Sequence, residues 1–574
     1  MRSTSLNHSV FPAFLTAAAL FGLAAPLPAW AGGAILAGWV LGMGFLLGGA
    51  LLPREHAVWR VFFGSLSLTA VTVCVGAVIY KVWRLDTMAC VLVLVLSAVL
   101  CSVWMRMLST RGAPLRSGAP HAELGADPAV ERPDEHWSRT GLGIIAVTAA
   151  LALTWAAVTM LASSGTADSI RSPWDAVPSQ IFALFFIAAA LTLTAALGGL
   201  APRLALVSTA ALTGMLASVT ALVYKVGYGF DPFLHRAAEQ TIFTQGFISP
   251  KPFYYLGQYA IVTLTARFLK GGVPVIDATL VPVALALVVP CAYYALRRGL
   301  RFSRAAASAA AALVLLLPLS AFAATTPQGF ADALFLMTAL LAIPAGLGAF
   351  PLSALFALAC ASAATHPLAG VPLLFFVALV ASFRAREGAV RGAVGRVLAL
   401  PLMPFALALA GAAALPAMFV VNAMLSGAGG ASVSVGDTGV TLADMLSALA
   451  PTRRFHLFLD FTYAWNLMRV PALLALAMIG ARALRKKTHA WTAWLLGTCM
   501  LAANWLLMNS WIRLPFLISY EQSSYADRVF ELGLFLLAPL ALAGAASIFR
   551  RITAADAAVK LTALAVCAAL LTSS

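Results

Sequence analysis

Apolar runs of about 20 residues, separated by short polar stretches, recur from one end of the chain to the other. Each is long enough to cross the roughly 30 Å hydrocarbon core of a bilayer as a helix. Read as helices, they give about 17 spans, at approximately 11–30, 33–53, 60–80, 88–107, 141–163, 178–200, 204–225, 276–296, 304–323, 331–348, 351–365, 368–383, 397–421, 467–483, 490–508, 528–548 and 556–572. The predicted fold class is all-α, a polytopic transmembrane helical protein.

Composition agrees, with 62% hydrophobic and only 10% charged residues in 574. The net charge of +16 reports topology, not a nucleic-acid partner, because the cations cluster in alternate connections. The clusters are Arg54 and Arg60; Arg106, Arg111 and Arg116; Arg297, Arg298, Arg301 and Arg304; Arg384, Arg386, Arg391 and Arg396; Arg485, Lys486 and Lys487; and Arg550 and Arg551. By the positive-inside rule they share the cytoplasmic side, with the N-terminus inside and the C-terminus outside. The first run, ending in Ala29-Trp30-Ala31 before Gly32, also has the form of a cleavable signal peptide. The seven cysteines fall within apolar runs without metal-ligand spacing, as small buried side chains do.

Residues 1–107 form an N-terminal transmembrane block and 108–140, rich in Pro, Ala and charge, read as a cytoplasmic linker. Additional spans follow at 141–203, then a larger core at 204–574 with outer loops 226–275 and 422–466. The runs from Leu68 and from Leu212 both open on Leu-Thr and close on Tyr-Lys-Val, a possible parallel duplication set against the chance likeness of apolar helices.

The densest polar chemistry lies in "GFDPFLHRAAEQTIFTQG". Asp231-Pro232 is a helix start, and the helix runs to about Gln245 and stops at Gly246. Asp231, His235 and Glu239, at i, i+4 and i+8, suit an acid/base or metal-binding face, although Asp231 also serves as a simple cap and His235 as an interfacial histidine. "ISPKPFYYLGQY" follows. Its Lys251 and aromatics Tyr254, Tyr255 and Tyr259 suit either an interfacial anchor helix or contacts to a lipid phosphate and a sugar ring.

A span leading into a first outer loop with an early aspartate, then a short helix and an aromatic-rich one, resembles the GT-C class of membrane glycosyltransferases. The likeness covers roughly 204–550 and is carried most specifically by "GFDPFLH"; the earlier spans have no counterpart in it. The resemblance implies a sugar donor on a polyprenyl-phosphate carrier, an acceptor that is a glycan, lipid or protein, and a bacterial-type plasma membrane with the active side facing out. It implies a second acidic residue at Asp332 in "ATTPQGFAD", and a phosphate clamp at Arg528 helped by Lys251 or Arg513; His366 in "ATHPLAG" joins the outer turns. Each has a structural alternative: a helix cap for Asp332, a helix break at His366-Pro367, a snorkelling or ion-paired arginine for Arg528.

The implied mechanism is single displacement with inversion. Asp231, tuned by His235 or by a divalent ion (Mg or Mn) on Asp231 and His235, takes the acceptor proton. Arg528 steadies the departing phosphate. Thr441, Asp444, Arg453, Arg454 and His456 lie in the second outer loop, either a lid over bound substrate or a solvated linker. A transporter or flippase for a lipid-linked or small polar substrate is the competing class; it would place ionisable groups along a path through the membrane.

Overall fold

The computed structural model describes residues 4–110, 133–388, 390, 392–425, 432–433, 457–513, 519–555 and 557–573. Its helices in chain order are α1 (Thr4–Ala24), α2 (Ala29–Leu51), α3 (Ala57–Val82), α4 (Thr87–Thr110), α5 (Pro133–Ser163), α6 (Gln180–Leu197), α7 (Pro202–Ala217), α8 (Val219–Val223), α9 (Asp231–Gln245), α10 (Leu256–Phe268), α11 (Val273–Tyr294), α12 (Arg304–Ala312), α13 (Pro327–Gly346), α14 (Leu352–Thr365), α15 (Pro367–Arg386), α16 (Gly392–Leu398) and α17 (Met403–Leu425). Four more follow: α18 (Leu457–Arg485), α19 (Trp491–Leu506), α20 (Ser519–Thr553) and α21 (Ala557–Ser573). Among the described residues the only strands are a two-residue antiparallel pair, Ser432–Val433 against Ile512–Arg513.

Eleven helices among the described residues are long and apolar enough to cross a membrane, and the chain is a multi-pass helical membrane protein. Several of the stretches read as spans form shorter helices, at Phe11–Ala24, Pro202–Ala217, Arg304–Leu316, Leu352–Thr365 and Ala558–Leu571. In the run 304–323 the α-helix tightens to a 3-10 turn at Leu313–Leu316 and then breaks before Pro318, a residue with no backbone donor to continue the ladder.

The N-terminal block is built into the core. α3 packs against α10 and α14. At one end of α3, Arg298 Nη2 donates to Glu55 Oε2 at 2.7 Å beside a ring cluster of Trp59, Phe63, Tyr293, Tyr294 and Phe350. At the other end, Lys81 lies over the Phe253 ring at 3.6 Å, Lys251 donates to the Trp83 carbonyl, and Leu85 N donates to Gly246 O at 2.7 Å. The α3–α4 corner thus seats the connection from α9 to α10. The linker is shorter than expected, because residues 133–140 are already the first turns of α5; its centre, 111–132, lies outside the described residues.

Helix crossings at glycines bring backbones together. A Cβ on Gly48 would overlap the Arg60 carbonyl, and one on Gly64 the Gly44 carbonyl, where α2 meets α3. Where α18 meets α20, Gly480 lies against the Leu540 carbonyl and Gly544 against the Leu476 carbonyl in the same way. Small residues at such crossings let membrane helices gain van der Waals contact that apolar burial alone does not supply in lipid. Gly480→Ala is therefore expected to cost about 1–3 kcal/mol by overpacking, read as a lowered melting temperature of the purified protein.

Candidate functional site

The segment that carries the polar chemistry folds as its sequence directs. α9 begins at Asp231 with Pro232 in its first turn and ends at Gly246, whose φ of 86° is the left-handed cap that glycine accepts without strain. Position 230 takes the cap place, one residue from the expectation. Asp231 is exposed on the first turn and His235 is half-buried one turn on. His235 Nδ1 and Tyr259 Oη are 2.8 Å apart, and the His235 ring meets Tyr255 edge-on with centroids 4.8 Å apart.

α10 is enclosed by protein, packed by α3, α9, α11 and α14. Gln258, Tyr259 and Thr263 on it are buried, while Phe253 just before it stays 74% exposed. Its start is held in an uncommon conformation. Tyr255 has φ 71°, and its N–H donates to Thr365 O at 3.1 Å. A left-handed tyrosine is costly; here it turns the ring between His235 and His366, whose centroid is 5.4 Å away. Tyr254 Oη donates to Asn422 Oδ1 at 2.8 Å, tying this corner to the end of α17.

His366 caps α15, its Nδ1 accepting from Leu368 N at 3.3 Å, and is 8% exposed. That acceptor role leaves the imidazole hydrogen on Nε2. Burial first, then the Arg528 and His235 charges, pull its pKa down to about 3. Burial likewise takes His235 down to about 4, against the attraction of Asp231. Both imidazoles are therefore neutral at pH 7. Their folded pKa values lie below the ordinary 6.5, so stability is fully present above that value and is lost as pH falls from it towards the folded values, where only the unfolded chain takes up protons. His366→Asn is expected to flatten the fall in melting temperature between about pH 6.5 and about pH 4, each group contributing up to about tenfold in the folding equilibrium per pH unit.

Arg528, half-buried on α20, closes the site from a distant part of the chain. Its Nη1 donates to Gln328 Oε1 at 3.3 Å, and its guanidinium lies 5.5 Å from the Tyr525 ring centroid. Arg528 acts electrostatically on His366 and on Tyr255, and Asp231 acts on Tyr255 as well. One turn beyond Gln328, Asp332 is 2% exposed with a buried Oδ1 that meets no partner. Glu531, one turn beyond Arg528, accepts from Ser320 Oγ at 3.3 Å.

His235, Tyr255 and His366 thus pack together from α9, α10 and the α14–α15 turn, with Asp231 and Arg528 of α20 within electrostatic reach of Tyr255 and Tyr254 and Asp332 at the edges. Three expected members stand apart. Glu239 is 0% exposed and faces away from Asp231, held by Gln258. Lys251 is taken up by the Trp83 carbonyl and lies 5.8 Å from the Tyr80 ring. Arg513 pairs through its backbone with Ser432, and its side chain lies outside the described residues, as do Thr441, Asp444, Arg453, Arg454 and His456.

The Tyr259 hydroxyl at Nδ1 of His235 leaves its Nε2 as the nitrogen for a divalent ion beside Asp231. No group of three or more His, Cys, Asp or Glu side chains is placed to hold a metal among the described residues. A cavity of about 330 Å³ between α5 and α7, lined by Leu151, Trp155, Val158 and Met215, is apolar and belongs to a different part of the fold.

Sequence reasoning missed Gln328, Asn422 and, beneath the site, Asp277, which pairs with Arg236. Asp277 did carry a signal: a lone carboxylate in the apolar run "VPVIDATLVPV" requires a partner inside the bundle. No family model matches the chain, and no curated protein matches it.

Proposed function

We propose that the protein is a membrane glycosyltransferase of GT-C type, moving a sugar from a polyprenyl-phosphate-linked donor to a glycan, lipid or protein acceptor on the outer side of the plasma membrane. The observation that carries this is that an exposed carboxylate, Asp231, and the Arg528 guanidinium both lie within electrostatic reach of Tyr255, whose ring is flanked by two neutral imidazoles. Inverting displacement needs those two groups: a base for the acceptor and a fixed cation for the leaving phosphate.

In the reaction, Asp231 takes the proton of the acceptor hydroxyl as its oxygen forms a bond to the anomeric carbon from the face opposite the leaving group. The bond from that carbon to the phosphate oxygen breaks, and the electron pair leaves on the phosphate, where Arg528 meets the developing charge. His366, carrying its hydrogen on Nε2, suits a donor to sugar or phosphate oxygens, and Tyr255 offers a ring face.

A transporter or flippase is the second reading, favoured by the fully buried carboxyls Glu239 and Asp277 among the helices. Native mass spectrometry of the purified protein separates the two. A co-purifying polyprenyl phosphate or its glycosylated form supports the transferase; bulk phospholipid alone, with movement of a labelled substrate across proteoliposomes, supports transport.

A further inference from the structure

Below the site, the inward face of α9 holds a second set of polar groups that the proposed reaction does not use. Glu239, Gln258 and Asp277 are each 0% exposed. Gln258 Nε2 donates to Glu239 Oε1 at 2.9 Å and to Asp277 Oδ1 at 3.3 Å, and Arg236 Nε donates to Asp277 Oδ2 at 3.2 Å. With both carboxyls ionised, two negative charges would face one guanidinium, leaving a net charge enclosed by helices, which is severely unfavourable.

Two further facts say what supplies the missing charge. Glu239 Oε1 and Asp277 Oδ1 accept from the same Gln258 nitrogen, so the two carboxyls are held side by side. Two ionised carboxylates set side by side only accept and repel one another, and a hydrogen on one of them removes that repulsion. Glu239 Oε2 and Gln258 Oε1 are also buried and meet no donor. A hydrogen on Glu239 turns an unmet acceptor into a donor.

We propose that Glu239 and Asp277 form a buried proton-binding site, holding one proton as a carboxylic acid paired with a carboxylate. The proton resides on Glu239, because Asp277 has the Arg236 guanidinium as its partner and Glu239, among the described residues, the neutral Gln258 amide. The charged and titratable groups facing the pair are Arg236 on α9 and Tyr259 on α10. Among the described residues, Arg236 is the one that makes an ion pair with it. Burial, and then the Asp277 carboxylate, push the Glu239 carboxyl well above its usual range, with the Gln258 hydrogen bond opposing.

The test uses the full-length protein in detergent, wild type beside Glu239→Gln, by infrared difference spectroscopy at pH 7. The expected result is a deuteration-sensitive C=O band of a protonated carboxylic acid in the wild type that is missing in Glu239→Gln and unaffected by sodium. An identical band in both proteins overturns the proposal, and a band displaced by sodium shows that a metal cation is the ligand instead. Melting curves give a second readout. A group whose folded pKa is raised stabilises most below its ordinary value of 4.5 and loses that contribution as pH rises towards the folded value. Glu239→Gln is thus expected to gain on the wild type by up to about tenfold in the folding equilibrium per pH unit in that window, and a flat difference overturns the proposal. Because the amide copies the protonated acid, failure of Glu239→Gln to fold also counts against it.

Discussion

Arg528→Ala is expected to lower sugar transfer from a polyprenyl-phosphate-linked donor by about 100- to 1,000-fold, the range for removing one fixed group that meets transition-state charge. The guanidinium is half-buried and oriented by Gln328 and Tyr525, so it needs no reorganisation as charge reaches the phosphate. Arg528→Lys keeps the charge but loses the planar fork that meets phosphate oxygens in pairs, and only partial recovery is expected. Initial rates with a short-chain donor give the measurement, with kcat falling more than KM rises. An unchanged rate in a well-folded Arg528→Ala protein removes the phosphate-clamp role.

Asp231→Asn should cost about 100- to 10,000-fold in kcat/KM, the usual range for a positioned general base. The side chain is exposed on the first turn of α9, so stability is expected to change by no more than about 0.5 kcal/mol. Loss of rate with an unaltered melting temperature would separate chemistry from folding. A variant that retains wild-type rates would move the base elsewhere, with Asp332 the next carboxylate to replace.

Much of the helical plan was legible because apolar runs announce themselves, and the limits of α9 could be read from Asp231-Pro232 and Gly246. The direction of Glu239 could not. Residues four apart on an α-helix are about 40° out of line, so two such steps carry the i+8 position roughly 80° round from i. That rotation takes the row from exposed Asp231 through half-buried His235 to enclosed Glu239. Amphipathic spacing gave each pair correctly and the triplet wrongly. The enclosure of α10 by protein was illegible for another reason. Tyrosines before an apolar helix serve a lipid interface and a packed protein corner equally well, and only the partners on α3 and α14 show the second. Contacts such as Arg528 with Gln328 join positions 200 residues apart, beyond any local pattern.

The glycine crossings bear on how this protein would look beside its relatives. Where one backbone rests on another at Gly48, Gly64, Gly480 and Gly544, any side chain forces two helices apart, so evolution would hold those positions fixed however the chemistry drifted. In an aligned set of sequences they would stand out as strongly as Asp231 or Arg528. Invariance at a glycine would mark where the scaffold is pinned, and the polar residues that vary with substrate would be the ones to follow for function.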